Sequence, residues 1–110
     1  MIDWKRVAEL RDEIGTDDFD DVVELFLDEV HGVIEKLRHN PNPDDLESDL
    51  HFLKGSALNL GFSDFSEKCH SAERHVANDQ SDQVDLTTIL TCFDQSLKEF
   101  MDELPRKFAA

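Results

Sequence analysis

Apolar residues recur every three or four positions along nearly the whole chain, and this period constrains the fold more than any other feature. The longest such stretch runs from about Asp17 to His39, with acidic residues filling the positions between. Its apolar side consists of Phe19, Val22, Val23, Phe26, Val30, Val33, Ile34 and Leu37. Residues three and four apart share one face of an α-helix, whereas strands alternate with a period of two. No stretch shows the strand pattern, so the sequence predicts an all-α fold.

Few helix-breaking residues divide this pattern, and they set the predicted helix boundaries. Gly15 follows a first short helix, and the run from Asn40 to Pro43 ends the second. Asn42 is a predicted N-cap for the third helix, with Pro43 at its first position, and this helix stops near Gly61. The first helix carries Trp4, Val7, Leu10 and Ile14 on its apolar side.

Two further helices are predicted after Gly61. Ser63 or Asp64 is the expected N-cap of the fourth, and polar residues 78–83 close it. We expect the last helix to end before Pro105, followed by a frayed tail. The apolar positions are Phe65, Cys69, Ala72 and Val76 in the fourth helix, and Leu86, Ile89, Leu90, Phe93, Leu97, Phe100, Met101 and Leu104 in the last.

The simplest way to bury these stripes together is an antiparallel up-down four-helix bundle with the short N-terminal helix as an addition. A chain of 110 residues with 39% apolar content suits one domain covering residues 1–110. We expect this domain to be a monomer.

Charge and cysteine content exclude several classes of function. A formal net charge of −15 argues against nucleic acid and anionic membrane surfaces as partners. No apolar run is long enough to span a bilayer, and the N-terminus does not resemble a signal peptide. Cys69 and Cys92 provide no disulfide framework. The expected location is the cytoplasm.

The third helix carries reactive side chains on the face opposite its apolar stripe. The stripe contains Leu46, Leu50, Leu53, Ala57 and Leu60, while His51, Lys54, Gly55 and Leu58 lie on the other side. An exposed imidazole can attack a phosphoryl group, and a cation one turn away can stabilise that group. Glycine inside a helix costs on the order of 1 kcal/mol relative to alanine. We interpret Gly55 as clearance for a partner's backbone, with a tolerated glycine or a slight helix kink as the alternative.

Two leucines suggest where a partner docks. Leu58 lies two turns along the His51 ridge, and Leu25 falls outside the apolar stripe of its own helix. Both are candidates for a small exposed docking patch. Packing of both leucines at the flank of the bundle is an equally good interpretation.

The motif His51-x-Leu53-Lys54-Gly55-Ser56, followed by Gly61 and Phe62, resembles the signature of histidine-containing phosphotransfer (HPt) domains. Phe26-Leu-Asp-Glu29, Phe65, Cys69 and Glu73 also sit where such domains have similar residues, so the resemblance covers roughly residues 5 to 103.

The resemblance implies a phosphorelay intermediate rather than an enzyme with its own ATP site. His51 would accept a phosphoryl group from an aspartyl phosphate of one receiver domain and pass it to the aspartate of another. Lys54 would neutralise the phosphoryl group, and Gly55 would let the receiver approach. The implied partners are response-regulator receiver domains and a hybrid or cognate histidine kinase, and the receiver would bring the Mg²⁺, so that this chain needs no metal or other cofactor. The predicted partner contacts are Leu25, Ser48, Phe52, Leu58 and Gly61, and the resemblance implies that Gly61 also shapes the helix end.

Other chemistries have weaker support. We expect the remaining histidines (His31, His39, His70 and His75) to be surface residues. Glu67 and His70 form a single Glu-x-x-His motif, where a di-iron site in a helical bundle needs two. The sequence does not contain the strained nucleophile turn that would indicate hydrolase chemistry. The main alternative is a non-phosphorylated helical domain that binds or sequesters a receiver or a histidine kinase.

Overall fold

The computed structural model describes residues 2–108, and this part of the chain contains five α-helices, two 3₁₀ turns and no strand. The helices are α1 (Trp4–Ile14), α2 (Phe19–His39), α3 (Leu46–Leu60), α4 (Ser63–Ala77) and α5 (Leu86–Lys107). The 3₁₀ turns span Pro43–Asp45 and Ser81–Gln83. The all-α prediction is therefore confirmed.

Short polar side chains cap several of these elements. The Asp3 carboxylate accepts a hydrogen bond from the Arg6 N–H at the start of α1. At the start of α5, Asp85 accepts one from the Thr88 N–H in the same way. Asn42 is a cap as predicted, but it caps the Pro43–Asp45 turn, which leads directly into α3. These bonds satisfy backbone donors that have no partner inside the helix.

Two predicted boundaries were wrong. α4 already includes Ser63, and its N-cap is Phe62, whose ring is buried in the core. Because that ring is buried, the chain turns into the core directly after α3 and α4 begins at the next residue. α5 continues through Pro105 to Lys107. Proline there removes the N–H that would bond to the Met101 carbonyl and crowds that carbonyl. Met101 lies on the exposed side of the helix, where the carbonyl can turn toward water.

Phenylalanine rings from α4, α5 and the turn before α4 form the centre of the core. The ring centroids of Phe62 and Phe100 lie 5.2 Å apart, as do those of Phe65 and Phe93. Ile34 of α2 and Leu53 of α3 are completely buried beside them. Phenyl rings need no hydrogen-bond partner, so they fill this space without leaving a polar group unsatisfied.

The long helices form a closed bundle in which each has two neighbours. α3 packs most closely on α4, α2 contacts α3 and α5, and α4 contacts α5, while α1 covers α2 and α3. The Asp3 N–H donates to the Gly61 carbonyl over 2.7 Å, which ties the start of α1 to the turn between α3 and α4. Within residues 2–108, no helix is long and apolar enough to cross a membrane.

Ion pairs of Lys36 and Arg38 join the end of α2 to its neighbours. The Lys36 ammonium lies 2.9 Å from Asp49 of α3 and 3.0 Å from Asp45. Arg38 pairs with Asp94 of α5 at 3.1 Å. The Lys36 pair with Asp49 links α2 to the start of α3, two residues before His51.

Candidate functional site

α3 presents an exposed ridge on the side away from the core. The His51 side chain is 70% exposed, and Gly55 and Leu58 are exposed along the same ridge. The opposite stripe is buried, with Leu50 and Leu53 at 0% exposure. This division follows from the helical period, because the two sets of residues lie on opposite sides of the helix axis.

A carboxylate from α4 joins the two reactive side chains of α3. The Nδ1 atom of His51 lies 2.9 Å from Oε1 of Glu73, and Nζ of Lys54 lies 2.8 Å from Oε2 of the same group. Lys54 and Glu73 are mostly buried, whereas the imidazole projects into solvent. Glu73 therefore bridges the imidazole and the ammonium.

The bridge fixes the ionisation of Glu73. The hydrogen bond from Lys54 is the main reason that the pKa of Glu73 lies below its ordinary value, and the hydrogen bond with His51 acts in the same direction against the cost of burial. An ionised carboxylate has no proton to donate, so the bond to His51 requires a hydrogen on Nδ1. In the neutral imidazole, Nε2 then holds the free lone pair.

Lys54 is less exposed than its helical position predicted. The sequence placed Lys54 on the His51 ridge, away from the core, but the side chain is only 21% exposed and leans toward α4 to reach Glu73. The predicted position of Lys54 around the helix axis was correct. That position gives no information about the neighbouring helix, whose carboxylate attracts the side chain. The ammonium acts first on Glu73, and through Glu73 on the imidazole.

Glu73 was noted in the sequence only as part of the family resemblance. The short connection between α3 and α4 gives a signal that could have identified it. His51 lies ten residues before Gly61 and Glu73 lies eleven residues after Phe62, so a tight helical hairpin brings them to the same level.

Gly55 lies beside open space. A Cβ atom built at this position has no heavy atom within 4 Å, so packing within the described chain gives no reason for a glycine. The predicted role in partner clearance remains consistent with this geometry.

Gly61 has a structural role that replaces its predicted contact with a partner. It is buried and ends α3 with φ of +80°, in the left-handed region that favours glycine. A Cβ there would lie 2.7 Å from the Asp3 carbonyl oxygen and 2.9 Å from Cγ2 of Val7. Gly61 therefore shapes the helix end, as expected, and also allows α1 to pack against it.

The other predicted docking residues all lie on the surface. Leu25 is 59% exposed on α2 and Leu58 is 57% exposed on α3, so that more than half of each residue is open to solvent. Phe52 is 37% exposed. Ser48 is exposed and donates a hydrogen bond to the Asp45 carbonyl over 2.9 Å.

The remaining histidines have ordinary surroundings. His31 packs edge-on against Phe93, and His39 contacts Glu35 at 2.9 Å. Glu67 and His70 are exposed. Among residues 2–108, no three His, Cys, Asp or Glu side chains are grouped so that they could hold a metal ion.

The Hpt domain family model matches residues 21–107, which include α3, α4 and the His51–Glu73 pair. The chain belongs to the Hpt domain family. Members of this family are histidine phosphotransfer modules of phosphorelays that interact with receiver domains and histidine kinases. No match was found among curated proteins or among solved structures.

Proposed function

We propose that this protein carries a phosphoryl group on Nε2 of His51, reversibly, between aspartates of receiver domains. The observation that carries this proposal is the hydrogen bond between His51 and Glu73, which leaves the second ring nitrogen free on an exposed ridge. A partner can therefore reach the nucleophile without any change in the bundle.

In the forward step, the Nε2 lone pair of His51 attacks the phosphorus of a receiver's aspartyl phosphate. The N–P bond forms as the P–O bond to the aspartate breaks, and the aspartate leaves as a carboxylate with that electron pair. The Nδ1 proton remains in its bond with Glu73, whose negative charge stabilises the cationic ring formed on transfer. The reverse step passes the phosphoryl group to another aspartate.

Lys54 and Glu73 act together in this proposal. Lys54 keeps Glu73 ionised, and the ionised carboxylate orients the imidazole and fixes its tautomer. We retain for Lys54 a contact with the phosphoryl group, which its flexible side chain can make when the added negative charge competes with Glu73.

The docking surface is proposed to combine the His51 ridge with the exposed face of α2. Gly55 would let the receiver's backbone approach, while Leu58, Phe52 and Leu25 would supply apolar contacts and Ser48 a polar one. The receiver would supply the Mg²⁺. We further infer that the protein is a cytoplasmic monomer. The long helices are proposed to run up and down, because the connections are short and each of the pairs Lys36–Asp49 and His51–Glu73 joins an early part of one helix to a late part of its neighbour.

The test is phosphoryl transfer from a phosphorylated receiver domain in the presence of Mg²⁺. Wild-type protein should acquire acid-labile, alkali-stable label, His51→Gln should acquire none, and His39→Gln, which removes a surface histidine from another helix, should be labelled normally. Binding of the receiver without any labelling of wild type would instead support the alternative of a non-phosphorylated binding domain. Equal labelling of wild type and His51→Gln would overturn the assignment of His51.

The position of the proton is tested separately by ¹⁵N NMR of the imidazole. Wild-type His51 should carry its hydrogen on Nδ1 when neutral, and Glu73→Ala should shift the hydrogen toward Nε2 and slow labelling about tenfold. A wild-type ring with its hydrogen on Nε2 would contradict the proposed nucleophile.

A further inference from the structure

The imidazole of His51 borders an open depression whose other lining residues are mainly acidic. Asp44, Glu47, Ser48 and Glu73 line it together with His51. Glu47 lies one helical turn before His51 on the same ridge, and Asp44 lies in the 3₁₀ turn that precedes α3. His51 therefore shares one open depression with these carboxylates, so that a charge added to its ring adds to an acidic region.

The carboxylates of Asp44 and Glu47 are not neutralised by a neighbouring cation among residues 2–108. Lys54 is engaged by Glu73, and Lys36, the lysine of α2 at this end of the bundle, is engaged by Asp45 and Asp49. Arg74, with its permanent positive charge, lines a different depression on α4, together with His70. Asp44 and Glu47 therefore border the depression beside His51 without a paired cation of their own, whether Lys54 stays with Glu73 or moves to the phosphoryl group.

A phosphoryl group adds nearly two negative charges at this point. Like charges one helical turn apart repel, and the repulsion has no counterpart in the unphosphorylated state. We propose that Glu47 and Asp44 destabilise phosphorylated His51 and thereby favour release of the phosphoryl group to an acceptor. This inference rests on the proposed function and assigns to the two carboxylates the control of its equilibrium.

Phosphoramidate provides a phosphoryl donor small enough to test the equilibrium without a partner surface. Nε2 of His51 attacks its phosphorus, the N–P bond to the amino group breaks, and ammonia leaves with that electron pair. With ammonium and phosphoramidate held at fixed concentrations, the equilibrium ratio of phosphorylated to free His51 can be read by ³¹P NMR.

Glu47→Gln should raise this ratio about two- to fivefold at low ionic strength, because it removes one unit of repulsion from a nearly dianionic group. Asp44→Asn should act in the same direction, and Glu47→Lys should exceed Glu47→Gln. The effect should shrink as salt approaches about 1 M, where the Debye length falls to about 3 Å.

Matched controls separate local repulsion from overall charge. Glu24→Gln and Asp28→Asn make the same chemical changes at exposed positions of α2 that face α5, on the other side of the bundle. Both should leave the ratio unchanged. Equal ratios in wild type, Glu47→Gln and Glu24→Gln would overturn the inference while leaving the carrier function intact. An increase of the ratio by the same factor in Glu47→Gln and Glu24→Gln would overturn it as well, since the effect would then come from overall charge. Absence of phosphohistidine in wild type under phosphoramidate and under a phosphorylated receiver would overturn the proposed function itself.

Discussion

At the scale of single residues, the site depends on a carboxylate that serves two partners. Glu73 holds His51 through one oxygen and Lys54 through the other, at 2.9 and 2.8 Å. Removing Lys54 would leave the half-buried Glu73 without its ammonium partner, and removing Glu73 would leave an ammonium without its counter-ion. The three side chains therefore form one unit, and single substitutions within it should not be additive.

The lowered pKa of Glu73 predicts an acid-dependent contribution to stability. A carboxyl group whose pKa falls on folding stabilises the native state above its ordinary value of about 4.5, and this contribution is lost as the pH falls through the lower pKa of the folded state. Wild type should therefore exceed Glu73→Gln by about 1 kcal/mol in free energy of unfolding at neutral pH.

Urea denaturation at a series of pH values measures this difference. It should decline from pH 5 toward pH 3, whereas Glu24→Gln, an exposed change on α2, should show no comparable dependence. A difference between wild type and Glu73→Gln that stays constant over this range would contradict the linkage.

Residue positions around the helix were predictable from periodicity, but side-chain partners were not. Spacing alone placed His51, Gly55 and Leu58 on the exposed ridge, because the helical period fixes their direction from the axis. The position of Lys54 next to Glu73 depends on a neighbouring helix, which no local pattern describes. The same limit explains why Gly61 was predicted to contact a partner, since its burial comes from α1.

At the scale of elements, α3 combines two different uses of glycine. Gly61 ends the helix in a left-handed conformation and lies under the backbone of Asp3. Gly55 lies inside the helix beside open space, so that its cost in helix stability is not offset by packing among residues 2–108.

Substitution of Gly55 should separate stability from partner access. Gly55→Ala should raise the free energy of unfolding by about 0.5–1 kcal/mol, because alanine favours the helix and its Cβ enters open space. Gly32→Ala on α2, where a Cβ also meets no atom within 4 Å, calibrates this gain away from the His51 ridge.

Transfer from a receiver should fall with Gly55→Ala and fall further with Gly55→Glu, while labelling of Gly55→Ala by phosphoramidate stays normal. Thermal or urea unfolding and the two labelling assays measure these effects. Undiminished transfer to Gly55→Glu would show that the position does not meet the receiver.

Element boundaries were predicted well where a polar cap decides them and poorly where tertiary contacts do. Asn42 caps the turn into α3 because its side chain competes locally for a backbone N–H. The start of α4 depends on the buried ring of Phe62, and the continuation of α5 past Pro105 depends on an exposed helix side. Neither condition can be read from the residues at the boundary alone.

At the scale of the whole molecule, a strongly acidic surface encloses a core that contains both thiols. Cys69 of α4 and Cys92 of α5 are buried, and burial raises the pKa of Cys69 to about 12 and that of Cys92 above its ordinary value. A thiol reagent needs the thiolate and physical access, and the folded bundle supplies neither.

Both thiols should therefore react with an aromatic disulfide reagent at pH 8 only as fast as the bundle opens. Native protein should react far more slowly than free cysteine, and denatured protein should release two equivalents at once. Leu25→Cys, which introduces an exposed thiol on α2, serves as the positive control. A fast native reaction of wild type would show that α4 and α5 separate without global unfolding.

The backbone bond between Asp3 and Gly61 also bears on the order of folding events. The α3–α4 hairpin closes over a two-residue connection, whereas the bond from Asp3 to Gly61 joins positions 58 residues apart. Loop closure over that length costs more chain entropy, and the surface that receives α1 exists only once the hairpin has formed. We therefore expect α1 to dock late in folding, after the pairing that brings His51 and Glu73 together.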